Sequence, residues 1–169
     1  PLIALGAELK IASTRGERTV SVEDYFSDKA TYGLKEDELL IGIEFDKPRE
    51  NEILSFSKLG LRKALAISRI TLSMLIGLDN EQRIESIRVA SGSIGRYPMR
   101  EIDVEKALLG LKMNDDISKL AIMALHKSMD QRLKERSTYP YKRRAVISLM
   151  EEVIRNSESY FKEVVMDVN

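Results

Sequence analysis

Cysteine is absent from all 169 residues, which removes disulfides, thiolate nucleophiles, iron–sulfur ligation and the usual zinc sites from this chain's own chemistry. One histidine, His126, supplies neither a triad nor a metal pair by itself. Charge of one sign is missing as well: 27 Lys+Arg stand against 27 Asp+Glu, so no net field draws the chain to nucleic acid or to an anionic membrane. No apolar run is long enough to span a bilayer, and no basic-then-apolar signal segment opens the chain. The expectation is a cytoplasmic protein with neither a nucleic-acid nor a membrane partner. The first residue is Pro1, and Pro1 to Leu5 has the look of the middle of an element, so an upstream segment is expected.

What is present is enough to fold. Hydrophobic residues make up 43% of the chain, sufficient for one respectable core or two small ones. Ala7 to Ala12 and Arg18 to Val22 are extended candidates joined by a turn at Ser13-Thr14-Arg15-Gly16-Glu17. Ser21 is placed to cap a helical turn through Phe26, with Glu23 and Asp24 favourably set against the helix dipole. Ser27 to Asp37 is polar and irregular. Glu38 to Phe45 is a dense apolar strand that stops at Asp46 to Asn51, where Pro48 cannot donate to a ladder. That break sets the expected domain boundary, giving units 1–49 and 50–169.

From Ile67 to Leu78 the alternation is clean, with Ile70, Leu72, Met74, Ile76 and Leu78 on one face and only Leu75 interrupting the polar one. Asp79-Asn80-Glu81 turns the chain into a second strand, Arg83 to Ala90, and the stretch around Ile53 to Lys58 supplies a third. Three helices follow. They run from about Arg100 to Leu109 with Gly110 as terminator, from about Asp116 to Leu133 behind an Asn/Asp cap, and from Tyr139-Pro140 through Ile154. The tail from Asn156 either prolongs the last helix, packing Tyr160, Phe161, Val164 and Val165, or frays. The fold class is therefore α+β: a partial β-rich subdomain, then a three-stranded antiparallel sheet covered by three helices.

Few residues carry chemistry without context. Ser91-Gly92-Ser93-Ile94-Gly95 has the wrong spacing for a Gly-x-Ser-x-Gly elbow and leads to Pro98 rather than into a helix, so it is a connecting loop. His126 is a boundary or surface histidine. Lys142-Arg143-Arg144 sits in the first turn of a helix and has a solvated or interdomain role. No Gly-x-Gly-x-x-Gly or Walker-type loop offers the clustered amides that a pyrophosphate needs. Neither a catalytic residue nor a metal ligand is assigned.

The order Phe56-Ser57-Lys58-Leu59-Gly60-Leu61-Arg62-Lys63-Ala64-Leu65-Ala66-Ile67-Ser68, the alternating strand, and then Ala90-Ser91-Gly92-Ser93-Ile94-Gly95-Arg96-Tyr97-Pro98 resemble one known family. It is the FAD-binding subunit of the molybdenum hydroxylases, the xanthine dehydrogenase and carbon monoxide dehydrogenase group. The resemblance implies that Pro1 to Phe45 ends the FAD-binding domain and that Ile53 to Ile154 forms the C-terminal domain. It further implies that Leu39-Leu40-Ile41 passes beside the isoalloxazine, with Ile41 where the family usually has leucine, and that Lys58 lies near the ring. An apolar side chain there shields a ring face, and an ammonium stabilises negative charge on a reduced flavin. Apart from the resemblance, Ile41 is explained by core packing and Lys58 by solvation; the resemblance sets Arg62 at the family's arginine position, where it braces the loop rather than touching the cofactor. The implied enzyme passes electrons from a molybdenum-cofactor subunit through an iron–sulfur subunit to FAD and then to an acceptor such as NAD. This chain holds half of the flavin site and is inactive alone. The alternative is a non-enzymatic module that docks other subunits.

Overall fold

The computed structural model describes residues 1–62, 67–113 and 116–167. Lys63 to Ala66 of the family-like run, the Asn114-Asp115 cap, and the packing of Val164 and Val165 lie outside the described residues.

The first 44 residues build a small sheet. Strands β1 (Glu8–Ser13) and β2 (Gly16–Ser21) form the expected hairpin, and Gly16 closes it at φ +130°, a conformation open to glycine and costly to other residues. The Ser21 hydroxyl accepts from the Asp24 N–H at 3.0 Å and caps α1 (Val22–Ser27). The stretch expected to be irregular holds one more helical turn, α2 (Lys29–Tyr32), because the Asp28 carboxylate accepts from the Thr31 N–H and caps it. Strand β3 (Leu39–Glu44) then pairs with the free side of β1, giving the order β2-β1-β3.

The second sheet contains β4 (Glu52–Gly60), β5 (Ser68–Leu78), β6 (Ile84–Gly92) and β7 (Met99–Arg100), antiparallel and in that order. It has one strand more than expected. After Pro98 the chain turns back along β6, setting Met99 opposite Ser91 and Arg100 opposite Ala90, and the Glu101 N–H extends the ladder to the Val89 carbonyl. Two residues leave no alternation to detect, so this edge is invisible in sequence.

Helices α3 (Ile102–Leu108), α4 (Asp116–Leu133) and α5 (Tyr139–Asp167) cover one face of this sheet. The main core joins Ile70, Leu72, Met74 and Ile76 of β5 to Leu125 and Met129 of α4 and to Met150 and Val153 of α5. Gly110, at φ +81°, follows α3 as expected. The last helix continues through the tail rather than fraying.

The other face of the sheet is not simply polar. Leu75 and Ala90 are buried there against Ile3, Ala4, Ala7, Leu9, Ile11, Val20 and Val22, so the N-terminal turn and first sheet form a second core on the middle of β5 and β6. Leu75 breaks the alternation because both faces of β5 are covered at its position. A buried ionic cluster joins the edge strand to the helices. Glu101 accepts from Arg132 at 2.9 and 2.8 Å and from the Ser91 hydroxyl at 2.5 Å, while Glu105 binds Arg100 and the Val89 N–H.

Candidate functional site

Strand β4 divides its side chains sharply. The Ser55 hydroxyl meets that of Ser157 at 2.8 Å and Ser57 donates to Glu152, so both serines face α5. Leu54, Phe56 and Lys58 must therefore point to the opposite face. The register sets Lys58 beside Thr71 and Thr71 beside Gly92; the neighbouring row is Phe56, Ser73 and Ala90. Gly92 keeps the first row open, since a Cβ there would collide with the Thr71 hydroxyl. An apolar cavity of about 200 Å³ adjoins these rows, between Leu2, Phe26, Thr71, Ser73, Gly92 and Pro98.

Lys58 is exposed and makes no hydrogen bond or ion pair with any described residue. Phe56, two residues away on the same face, is 42% exposed although aromatic. An exposed apolar ring and an unpartnered ammonium on one sheet face suit a planar aromatic group that carries negative charge at one edge.

Ile41 lies elsewhere. In the β1–β3 pairing Ile11 sits opposite Leu40 and Lys10 opposite Gly42, so Ile41 is the extra residue of a β-bulge. It is 55% exposed, and core packing does not account for it. Its neighbours Leu40 and Ile43 line a separate apolar cavity of about 210 Å³ with Leu9, Ile11, Tyr25 and Phe26. Ile41 and Lys58 thus occupy different sheets, and neither lines these two cavities. Sequence reasoning passed over Phe56, Thr71 and Gly92 as site residues. Thr71 was visible as a polar-face position, whereas Gly92 acquires meaning only through the register that sets it beside Thr71.

Residues 55–157 match the family of the CO dehydrogenase flavoprotein C-terminal domain, and residues 1–48 match the FAD binding domain in molybdopterin dehydrogenase. The chain belongs to the FAD-binding subunits of the molybdenum hydroxylases. It is 28% identical over 148 residues to the nicotinate dehydrogenase FAD-subunit of Eubacterium barkeri, covering 86% of this chain and 50% of that protein. With the glyceraldehyde dehydrogenase medium chain of Sulfolobus acidocaldarius it shares 31% identity over 118 residues, 70% of this chain and 41% of that one. In three dimensions it matches a chain of carbon monoxide dehydrogenase from Hydrogenophaga pseudoflava with a TM-score of 0.79 at 19% identity, covering 94% of this chain and 54% of that chain. The chain spans about half the length of the first of these relatives.

The remaining candidates resolve into structure. His126 Nε2 lies 2.8 Å from the Arg143 carbonyl, at the α4–α5 boundary. Lys142 donates to the Ser93 and Ile94 carbonyls at 2.5 and 3.3 Å, and Arg143 pairs with Asp130 at 3.2 Å. Two of the three consecutive cations thus hold the chain's own loop and helices, where a solvated or interdomain role was expected. The Ser91 to Gly95 stretch, expected to be a connecting loop throughout, starts as the end of β6 at Ser91 and Gly92 and leaves the strand only at Ser93, which sits at φ +61°, with Ile94 buried. Among the described residues no three His, Asp or Glu side chains are grouped to hold a metal, and no helix is long and apolar enough to cross a membrane.

Proposed function

We propose that this chain is the carboxy-terminal part of the flavin subunit of a molybdenum hydroxylase-type oxidoreductase, divided near residues 49 and 50, and that its open β4–β5–β6 face forms one wall of the flavin pocket. The observation that carries this is the unpartnered Lys58 ammonium beside the Phe56 and Thr71–Gly92 rows, in a chain of this family. The residues fit the ring half of FAD and not its pyrophosphate, for which the chain offers no Gly-x-Gly-x-x-Gly or Walker-type loop. When bound, FAD supplies the capacity to take up and release two electrons. The chain contributes the rest. Lys58 opposes negative charge on the reduced ring, the apolar side chains exclude water, and the bulged Ile41 shields a ring face from the first sheet. In the whole enzyme, electrons reach the flavin from a molybdenum-cofactor subunit through an iron–sulfur subunit and leave to an acceptor such as NAD, in the cytoplasm.

The second reading, a non-enzymatic docking module, draws on a different observation. Leu39 and Ile41 of the edge strand β3 and Phe45 just after it are 72, 55 and 51% exposed, a surface that favours contact with further protein. One experiment separates the two. In the full-length subunit, Lys58→Met should leave folding unchanged and lower the flavin midpoint potential by about 30 mV, equivalent to about 1.4 kcal/mol for two electrons, because the reduced anion loses its counter-charge. A full-length subunit that retains no flavin, or an unshifted potential, overturns the flavin reading.

A further inference from the structure

A second, polar cleft of about 370 Å³ lies at the far end of the same sheet face, where residues 46–49 pass beside β6. Lys58 pairs near one end of β4 and Glu52 at the other, six residues and about 20 Å away, so this cleft is distinct from the proposed flavin wall. Its charged lining is Lys47, Arg49, Arg88 and Arg100 against Asp46 and Glu52, four cations to two carboxylates in a chain whose overall charge is zero.

The committed charges account for each other. Arg49 donates to Glu52 at 2.9 Å and to the Ser86 hydroxyl at 3.0 Å, and that guanidinium holds the Glu52 carboxyl down at about 2, keeping it ionised and paired. Arg100 spends its Nε and one terminal nitrogen on Glu105. Arg88 is different. Its exposed side chain has no hydrogen bond or ion pair with any described residue, and its guanidinium rests against Gly6, at φ +68°, where a Cβ would occupy the guanidinium's space. A planar donor fork is thus seated in a concave surface with an excess of positive charge and no acceptor of its own.

We propose that this cleft binds a small oxyanion, a phosphate or carboxylate group gripped by the Arg88 fork. Guanidinium matches both groups bidentately, and the neighbouring Lys47 adds a point charge without demanding a fixed geometry. The site stands independently of the flavin reading, because none of its residues belongs to the Lys58 face rows.

The test is calorimetric titration of this chain at low salt with inorganic phosphate and, separately, with malonate. Saturable millimolar binding of either anion is expected, weakened about tenfold by Arg88→Gln and unchanged by Arg144→Gln, an exposed cation outside the cleft. Phosphate alone saturating identifies a phosphoryl ligand, and malonate alone a carboxylate; both outcomes support the site. Binding of neither anion, or equal affinity in Arg88→Gln with an unchanged melting temperature, overturns it. Arg88→Lys supplies the second variant: it keeps the charge and loses the fork, and should fall between parent and Arg88→Gln.

Discussion

Removing the Glu101 carboxylate should be among the costliest single changes in the chain. Its side chain is 1% exposed and accepts four hydrogen bonds, two from one terminal nitrogen of Arg132, one from Ser91 and one from Ser128 at 3.2 Å. In Glu101→Ala the Arg132 cation loses its counter-ion, a loss of about 3–5 kcal/mol when both partners are fully buried. Arg132 is 22% exposed and keeps its bond to the Ser128 carbonyl, so water recovers part of that. The buried Ser91 hydroxyl loses its acceptor and is orphaned at about 1–3 kcal/mol. The balance is about 3 kcal/mol. Urea unfolding should show it as a lower midpoint at unchanged slope, and thermal melting as a drop of about 6–12 °C for a chain of this size. Adding Ser91→Ala to Glu101→Ala should return about 1 kcal/mol by removing the orphan, and Glu101→Gln should be milder than Glu101→Ala. A Glu101→Ala protein within about 1 kcal/mol of the parent would refute the claim that this pair fastens β7 to the helices.

Leu75→Ala should cost about 2–4 kcal/mol through the cavity left between β5 and the N-terminal turn; a near-neutral result would mean that the second core is not closed. Gly92→Ala should displace the Thr71 hydroxyl at about 1–3 kcal/mol and reduce flavin retention in the full-length subunit, measured by absorbance after gel filtration. Arg18 and the Lys35 N–H hold the Glu38 carboxyl down at about 2, as Arg49 holds Glu52. Both folded values lie below the unfolded value of 4.5, so their stabilisation is complete above it and disappears as pH falls from about 4.5 to about 2. Thermal melts across that interval should decline, and less steeply in Glu38→Gln; a flat profile would count against both pairs.

The strands and helices were legible wherever local chemistry acts alone. Ser21 caps α1 because a hydroxyl reaches the N–H three residues on, whatever surrounds it. The α4 stripe and the β5 alternation each follow from one element meeting one core. The family, too, was legible, because its pattern is carried by the order of residues. Where two elements must meet, the pattern fell silent. Glu38 to Phe45 has the composition of a buried strand, yet only pairing with β1 creates the bulge that turns Ile41 out. Likewise Leu75 was visible as an exception to the alternation, and the turn that covers it was not.

By itself, then, the chain's sequence determined its element types, its main apolar face and its kinship, since these depend on side chains three or four positions apart on a helix and two apart on a strand. Only the tertiary structure decided that Lys58 shares a row with Thr71 and Gly92, that the Arg88 side chain lies unpaired against Gly6, and that β5 is buried by the helices on one face and by the N-terminal turn and first sheet on the other. Those facts depend on strand register and on contacts between distant segments, and no local spacing encodes either.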